Sequence, residues 1–249
     1  MIRGVSFLVC WLMIMPSFAK GYQTFEEKGM VGMKDDAGHV VLPPAFEALG
    51  WSDGNFSVIG EVTGYRLRGS WGIVNLKKEF ITTADYENLV YSEGDCIVAR
   101  KKINRVITKT GCISLNGEIK IPFAYDGISV QGLRAIVFNL IGPRYYFGLT
   151  DLEHRILIPV IYKNIRPLGS LRFAVENSEN KIALFEDAGK PMTDFSIDSI
   201  SPFYRDFATV YQAHWQGLID RNGVFRLEAK YHSIKIDDEG KVFTQLPND

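Results

Sequence analysis

The chain repeats itself, and that repetition restricts its fold more than any other property. The plan is clearest at Trp71-Gly72-Ile73-Val74-Asn75 and the run that follows through Phe80, Ile81 and Tyr86 to Leu89. With Gly72 as origin, equivalent origins fall at Gly32, Gly111, Gly148, Ala183 and Gly217, spaced 40, 39, 37, 35 and 34 residues apart. One residue on stand Met33, Ile73, Cys112, Leu149, Leu184 and Leu218, all apolar. Three on stand Asp35, Asn75, Ser114, Asp151, Glu186 and Asp220, all polar. Six on, Gly38, Gly117, Gly189 and Gly223 recur, with Lys78 and His154 in the other two units. Fourteen on come Phe46, Tyr86, Tyr125, Tyr162, Ile197 and Tyr231; seventeen on come Leu49, Leu89, Ile128, Ile165, Ile200 and Ile234. No gap is needed anywhere between those columns. Repetition at such a period means an array of small stacked units.

The units read as β-structure. Asp36-Ala37-Gly38, Leu115-Asn116-Gly117, Asp187-Ala188-Gly189 and Arg221-Asn222-Gly223 supply the left-handed backbone that tight hairpins need. The origin glycine opens a first strand. The second alternates, with Val40/Leu42, Ile119/Ile121 and Ile156/Ile158 facing one way. It ends on Pro43-Pro44, Pro122 or Pro159, where a missing amide stops pairing. The aromatic and apolar residues after it are three apart, which strand alternation would put on opposite faces, so they predict a compact bend into the core. A third strand then closes each unit at Phe56–Ile59, Cys96–Ala99, Phe173–Val175 and Phe207–Val210, and pairs with the next unit's glycine strand. Variation in repeat length falls between bend and next origin. That places it at hairpin tips on one side of the array, the side where repeat proteins often bind. The first such hairpin is the longest and carries Gly60, Gly64 and Gly69. Residues 20–29 predict a leading cap strand and 240–249 a trailing one.

These residues resemble the WG (KWG) repeat family of mostly secreted bacterial proteins. The match is best in Ser70-Trp71-Gly72-Ile73-Val74-Asn75, in Gly217-Leu218-Ile219-Asp220-Arg221-Asn222-Gly223 and in Ile121-Pro122-Phe123-Ala124-Tyr125-Asp126, and it spans about Met30 to Phe243. It is degenerate. Val31, Thr110, Phe147, Ile182 and Gln216 stand in the other tryptophan positions. The resemblance implies an all-β array with Trp71, Gly72, Tyr86, Tyr125, Tyr162 and Tyr231 as repeat-defining residues, and it implies no activity.

The first twenty residues differ in kind. Met1-Ile2-Arg3 is basic, Val5 to Met15 is almost wholly apolar, and Pro16-Ser17-Phe18-Ala19 supplies a break and a small-x-small cleavage pattern. Residues 1–19 therefore read as a secretory signal cleaved near Ala19, too short to span a bilayer comfortably. Cys10 lies inside the apolar run behind the bulky Val9, which argues against a lipoprotein. Residues 20–249 follow as one periplasmic or secreted domain with no second apolar stretch. The chain's 249 residues, 46% apolar and 12% aromatic, suffice for an ordered core, and a formal net charge of −1 removes the basic excess expected of a nucleic-acid binder.

Residues able to do chemistry are dispersed. His39, His154, His214 and His232 show no metal-ligand spacing. Asp220–Gly223 and Asp237–Gly240 look like the start of a calcium loop, but Ala229 and Leu246 occupy the place of the bidentate acid, so both read as hairpin turns. No nucleophile elbow, P-loop or dinucleotide fingerprint is present. Acidic residues are plentiful, yet none pair off as a glycosidase requires. The sequence thus implies no metal and no cofactor. The one dense basic cluster is Arg100, Lys101, Lys102 and Arg105, placed at a hairpin tip and suited to an acidic partner. Cys96 and Cys112 mirror each other across a hairpin turning at Ile103-Asn104, which in an oxidising compartment predicts a cross-strand disulfide.

The expected fold is all-β, about six three-stranded antiparallel repeats in an open twisted array, with a closed six-bladed β-propeller as the alternative. The expected function is a non-enzymatic protein- or glycan-interaction module of the bacterial cell envelope. The alternative is an envelope hydrolase with an acidic site. The two differ in what they require: exposed aromatic and charged residues along the hairpin-tip side, or one deep pocket with convergent ionisable groups.

Overall fold

A computed structural model describes residues 21–247. The expected signal segment lies outside them. Among the described residues there is no helix, and the strands form a succession of antiparallel meanders. The first sheet holds β1 (Tyr22–Glu27), β2 (Met30–Asp35) and β3 (Val40–Phe46). A seven-stranded sheet follows: β4 (Ala48–Leu49), β5 (Val62–Leu67), β6 (Ser70–Asn75), β7 (Tyr86–Tyr91), β8 (Ile97–Lys102), β9 (Thr108–Ile113) and β10 (Ile119–Tyr125). Its two halves meet through Trp71 opposite Tyr86. Next come β11 (Gly127–Gln131), β12 (Arg134–Ile141), β13 (Arg144–Asp151) and β14 (Ile156–Tyr162), then β15 (Asn164–Gly169), β16 (Arg172–Glu176) and β17 (Ile182–Glu186). The last are β18 (Ser199–Ile200), β19 (Phe207–Gln212), β20 (Trp215–Asp220) and β21 (Phe225–Tyr231), followed by β22 (Ser233–Ile236) with β23 (Val242–Gln245). Successive sheets touch through β2 and β4, β9 and β11, β13 and β15, and β20 and β22, while β15–β17 meets the following sheet where the Phe203 amide donates to the Leu168 carbonyl. Among the described residues no comparable strand contact joins the first sheet to the last.

The structure is the expected all-β array of antiparallel repeats; the units at Gly72 and Ala183 have three strands and the other four have one more. Residues seventeen past each origin do not finish a bend. Leu49, Leu89, Ile128, Ile165, Ile200 and Ile234 lie in β4, β7, β11, β15, β18 and β22, each the opening strand of the following sheet except β7, which opens the second half of the seven-stranded one. The full sheet is therefore a four-stranded meander, as in β11–β14 and β18–β21, and the sequence unit straddles two of them. What looked like a bend is the junction where the chain changes sheet. Both flanking columns still serve the core: Phe46, Tyr86 and Ile197 are buried before the junction, and Leu49, Leu89 and Ile200 after it.

Proline does not end pairing either. Leu42, Ile121, Ile158 and Leu227 pair with the residue after the origin, and pairing resumes four residues later at Phe46, Tyr125, Tyr162 and Tyr231. The segment between arches out as a wide bulge that accommodates the prolines. This arch explains the origin glycine, which sits inside its strand rather than opening it. A Cβ on Gly148 would lie 2.7 Å from the Ile158 carbonyl oxygen and 3.0 Å from the Val160 Cα.

Gly72 and Ala183 follow a second plan. Their units have no fourth strand; instead Thr82 Oγ accepts from the Ile73 amide (3.0 Å) and Thr193 Oγ from the Leu184 amide (2.9 Å). A hydroxyl ten residues past the origin replaces the arch, so Ala183 has room for its methyl.

Two further expectations shift. The strand that pairs with β6 is β5, while Phe56–Ile59 belongs to a loop capped by Trp51, whose indole donates to Ser57 Oγ at 2.8 Å. The longest insertion, residues 50–61, consequently lies at the opposite end from the β5–β6 tip, so length variation is not confined to the hairpin-tip side.

The residue after each origin forms the innermost stripe, with Met33, Ile73, Cys112, Leu149, Leu184 and Leu218 all buried. The apolar clusters lie between successive sheets: Ile136 and Leu149 pack with Phe173 and Val175, and Ala174 and Leu184 with Ile200 and Val210. The column three past the origin closes its own turn. Asp151 accepts from the Glu153 and Arg155 amides, Asp220 from those of Asn222 and Val224, and Asp35 from those of Ala37 and His39. Six past the origin every unit has positive φ, including the non-glycine Lys78 (72°) and His154 (62°).

These turn carboxylates make the fold acid-sensitive. For Asp35, the His39 amide is the leading influence and holds the pKa down. Burial raises Asp151 and Asp220, but turn amides and the Arg155 or Arg226 guanidinium outweigh it and both end below the ordinary 3.8. The unfolded chain then takes up protons first as pH falls, so the stabilisation is present above about pH 4 and is lost through the lower folded-state pKa values. Denaturant midpoints should be level at neutral pH and fall below it in acid. Asp151→Asn, which keeps the turn acceptor without the titration, should show a shallower acid limb; an unchanged limb would refute the assignment.

Candidate functional site

A four-stranded meander sends its connections to two ends, and the ends differ. At one lie the first-to-second and third-to-fourth strand turns, and these tie the sheets together. Arg134 donates to Asp187 O (2.8 Å) and Asp187 Oδ2 (2.7 Å) of the next meander, and Arg172 donates to Arg221 O (2.7 Å) of the one after. Leu133-Arg134 and Leu171-Arg172 follow a tight turn in the same place of two units, a recurrence the sequence reading missed. Asp95 accepts from the Leu115 amide and Glu93 from the Gly132 amide in the same region.

The other end carries the central hairpins β5–β6, β8–β9, β12–β13, β16–β17 and β19–β20, and exposes aromatic and aliphatic side chains. A groove of about 560 Å³ lies against the β12–β13 and β16–β17 tips, lined by Arg144, Tyr145, Tyr146, Lys163, Ser178 and Asn180 among others. Tyr145 is half exposed and held by an edge-on contact to Phe138, with ring centroids 5.5 Å apart. Lys163 donates to Glu176 Oε1 (2.8 Å) and to Asn180 Oδ1. Among the described residues Arg144 has no carboxylate partner, so it is the groove's uncompensated cation. Arg144-Tyr145-Tyr146-Phe147 directly after the Gly142-Pro143 turn was the available sequence clue.

The basic cluster sits on the neighbouring hairpin. Arg100 and Lys102 straddle Glu87 at 3.9 and 3.3 Å, and the Lys101 ammonium lies 5.7 Å from the Tyr86 ring centroid. Arg105 projects from the tip with no ion pair among the described residues. The four do not converge on one point; they line one hairpin. Cys96, immediately before β8, and Cys112 on β9 form a disulfide, with Cα atoms 5.8 Å apart. The hairpin is centred one residue later than expected, at Arg105, so Cys112 faces Val98 and Cys96 reaches it diagonally.

The repeat aromatics have structural partners. Tyr86 stacks on Phe123 and Tyr162 on Phe195 at centroid distances of 5.9 and 5.8 Å. The Tyr125 hydroxyl hydrogen-bonds with His154 Nε2 at 2.7 Å. Trp71 packs against the buried cluster around Ile73 and Leu89. Tyr231 lies under the Lys230 ammonium, 5.6 Å from the ring centroid.

Ionisable groups are largely consumed by the fold. His39 pairs with Asp35 at 3.2 Å. Asp237 closes its own turn through the Glu239 and Lys241 amides, as Asp220 does. The hollow that brings Asp206 and Asp220 together also holds Arg221 and Arg226, and Arg226 lies 2.6 Å from Asp220 Oδ2. Among the described residues no group of three or more His, Cys, Asp or Glu is gathered as a metal site.

No family model and no curated protein matches the chain. Solved structures similar to it include a eukaryotic initiation factor, at TM-score 0.42 and 10% identity over 92% of this chain and 79% of that one. The WD40 β-propeller domain of Doa1 is similar at TM-score 0.31 and 12% identity over 76% and 73%. A protein described as a putative TolB from Agrobacterium tumefaciens is similar at TM-score 0.31 and 13% identity over 83% of each chain.

Proposed function

We propose that this protein is a secreted or periplasmic, non-enzymatic repeat module, a degenerate relative of the WG-repeat proteins, whose hairpin-tip side engages a protein or glycan of the bacterial cell envelope. The observation that carries this reading is the groove at Arg144, Tyr145 and Tyr146: two aromatic rings and an unpaired guanidinium beside polar Ser178 and Asn180. Aromatic faces give contact area at low entropic cost, and a few polar groups fix orientation. None of the residues lining the groove is a carboxylate, which favours binding over hydrolysis.

The test is co-sedimentation with purified cell-wall glycan, together with capture from envelope extract, comparing the parent with Tyr146→Ala. Removing one aromatic anchor is expected to weaken capture roughly tenfold with little change in thermal midpoint. Equal capture by both proteins would exclude the groove. Turnover of envelope substrates by the parent would overturn the non-enzymatic reading. Mass spectrometry of the exported protein tests cleavage near Ala19 directly.

A further inference from the structure

Beyond that groove, two adjacent hairpin tips carry exposed aliphatic side chains. At β8–β9 these are Ile103, Val106 and Ile107, and at β12–β13 Leu140 and Ile141. Val106 is 91% exposed and Ile141 60%. Exposed apolar side chains grouped and rimmed by polar residues are the kind of surface that marks an interaction site.

The tips are built rather than loose. Asn104 Oδ1 accepts from the Val106 and Ile107 amides at 2.9 and 2.8 Å, and the Ile103 amide donates to the Ile107 carbonyl at 2.8 Å. That closed turn aims Val106 outward. Asp126 fixes the two hairpins side by side: one carboxylate oxygen accepts from Lys109 on β9 (2.7 Å) and the other from the Leu140 amide on β12 (2.6 Å). Lys109 also reaches Asn139 at 3.5 Å. The bridge lies just short of both tips, where Ile107 and Ile141 are exposed.

Cations frame the apolar apices. Glu87 pairs with both Arg100 and Lys102 and offsets one of their two charges, and Asp126 offsets Lys109. Lys101, Arg105 and Arg144 are left as a positive surplus, local to this end of a chain whose overall charge is −1.

We propose that the β8–β9 and β12–β13 tips dock on an anionic lipid surface, with Val106 and Ile141 entering the acyl boundary and the flanking cations at the headgroups. Two separate protruding turns with aliphatic ends form neither a groove nor a flat face, so a fluid surface accommodates them where a rigid protein would need two matched pockets. Apolar insertion combined with attraction to anionic headgroups is the chemistry of interfacial binding. The proposal shares Arg144 with the groove, but Val106, Ile141 and Arg105, the residues the test changes, lie outside the groove lining.

The experiment is sedimentation of the full chain with phosphatidylcholine vesicles, with and without phosphatidylglycerol. Parent, Val106→Asp/Ile141→Asp and Arg105→Ser proteins share one N-terminus, so any contribution from residues 1–20 is common to all and differences read the tips. The parent should bind the phosphatidylglycerol vesicles and release in high salt. The double aspartate variant should lose at least roughly tenfold in partitioning, and Arg105→Ser roughly fivefold. Val106→Trp, which adds an interfacial anchor, should gain severalfold. Unchanged thermal midpoints confirm folding at these exposed positions. Binding that ignores the aspartates, no binding above the neutral-vesicle level, or a parent that only self-associates through these tips would each overturn the proposal.

Discussion

Gly148→Ala is expected to destabilise the protein by about 3 kcal/mol, lowering its melting temperature by about 6–12 °C. The added methyl would meet the Ile158 carbonyl oxygen at 2.7 Å and the Val160 Cα at 3.0 Å. Both belong to the backbone of the arch, which cannot rotate away as a side chain can. The arch would have to open, breaking the register in which Phe147 faces Tyr162 and Leu149 faces Ile158. The column provides its own control. Ala183 occupies the same place in a unit where the Thr193 hydroxyl replaces the arch. Ala183→Gly should cost only about 1 kcal/mol. Comparable losses from the two changes would show that the arch is not what demands glycine.

Reduction of the Cys96–Cys112 disulfide is expected to cost about 3 kcal/mol, because a loop of this size regains most of its closure entropy in the unfolded chain. The two residues are separated by 16 positions and both are fully buried. The measurement is the thermal midpoint of exported protein with and without reductant, alongside a thiol titration of the native form. The disulfide predicts no reactive thiols at Cys96 or Cys112 and a lower midpoint after reduction. Two thiols in never-reduced protein would show that the bond does not form in the cell.

The columns legible in the sequence are those whose chemistry is local. A residue that closes its own turn, such as Asp151, or one that always points inward, such as Leu149, leaves a mark at a fixed offset whatever its neighbours do. Strand number was not legible, because the three-residue step from Tyr125 to Ile128 is equally compatible with a bend and with a change of sheet. Only pairing decides, and Ile128 finds its partner Val137 across a later turn. Phe56–Ile59 imitated a strand by alternation, while the true strand β5 was marked by the Arg68-Gly69 turn that joins it to β6. The Arg134–Asp187 tie spans 53 residues, and its two ends carry no mutual signature in one sequence. At the candidate site, the basic cluster was legible as a run of charge. The Arg144–Tyr146 groove was not, since it needs a second hairpin, at Ser178 and Asn180, to give it a wall.

The offset between sequence unit and sheet bears on how such a chain lengthens. Copying one period of the gene, from one origin glycine to the next, would not deliver a finished sheet. It would deliver the back half of one and the front half of another. The newcomer completes itself only by sharing strands with residents on both sides. An inserted copy is thereby spliced across two neighbours from the start, and none of the shared sheets can be lost without unpicking the one beside it.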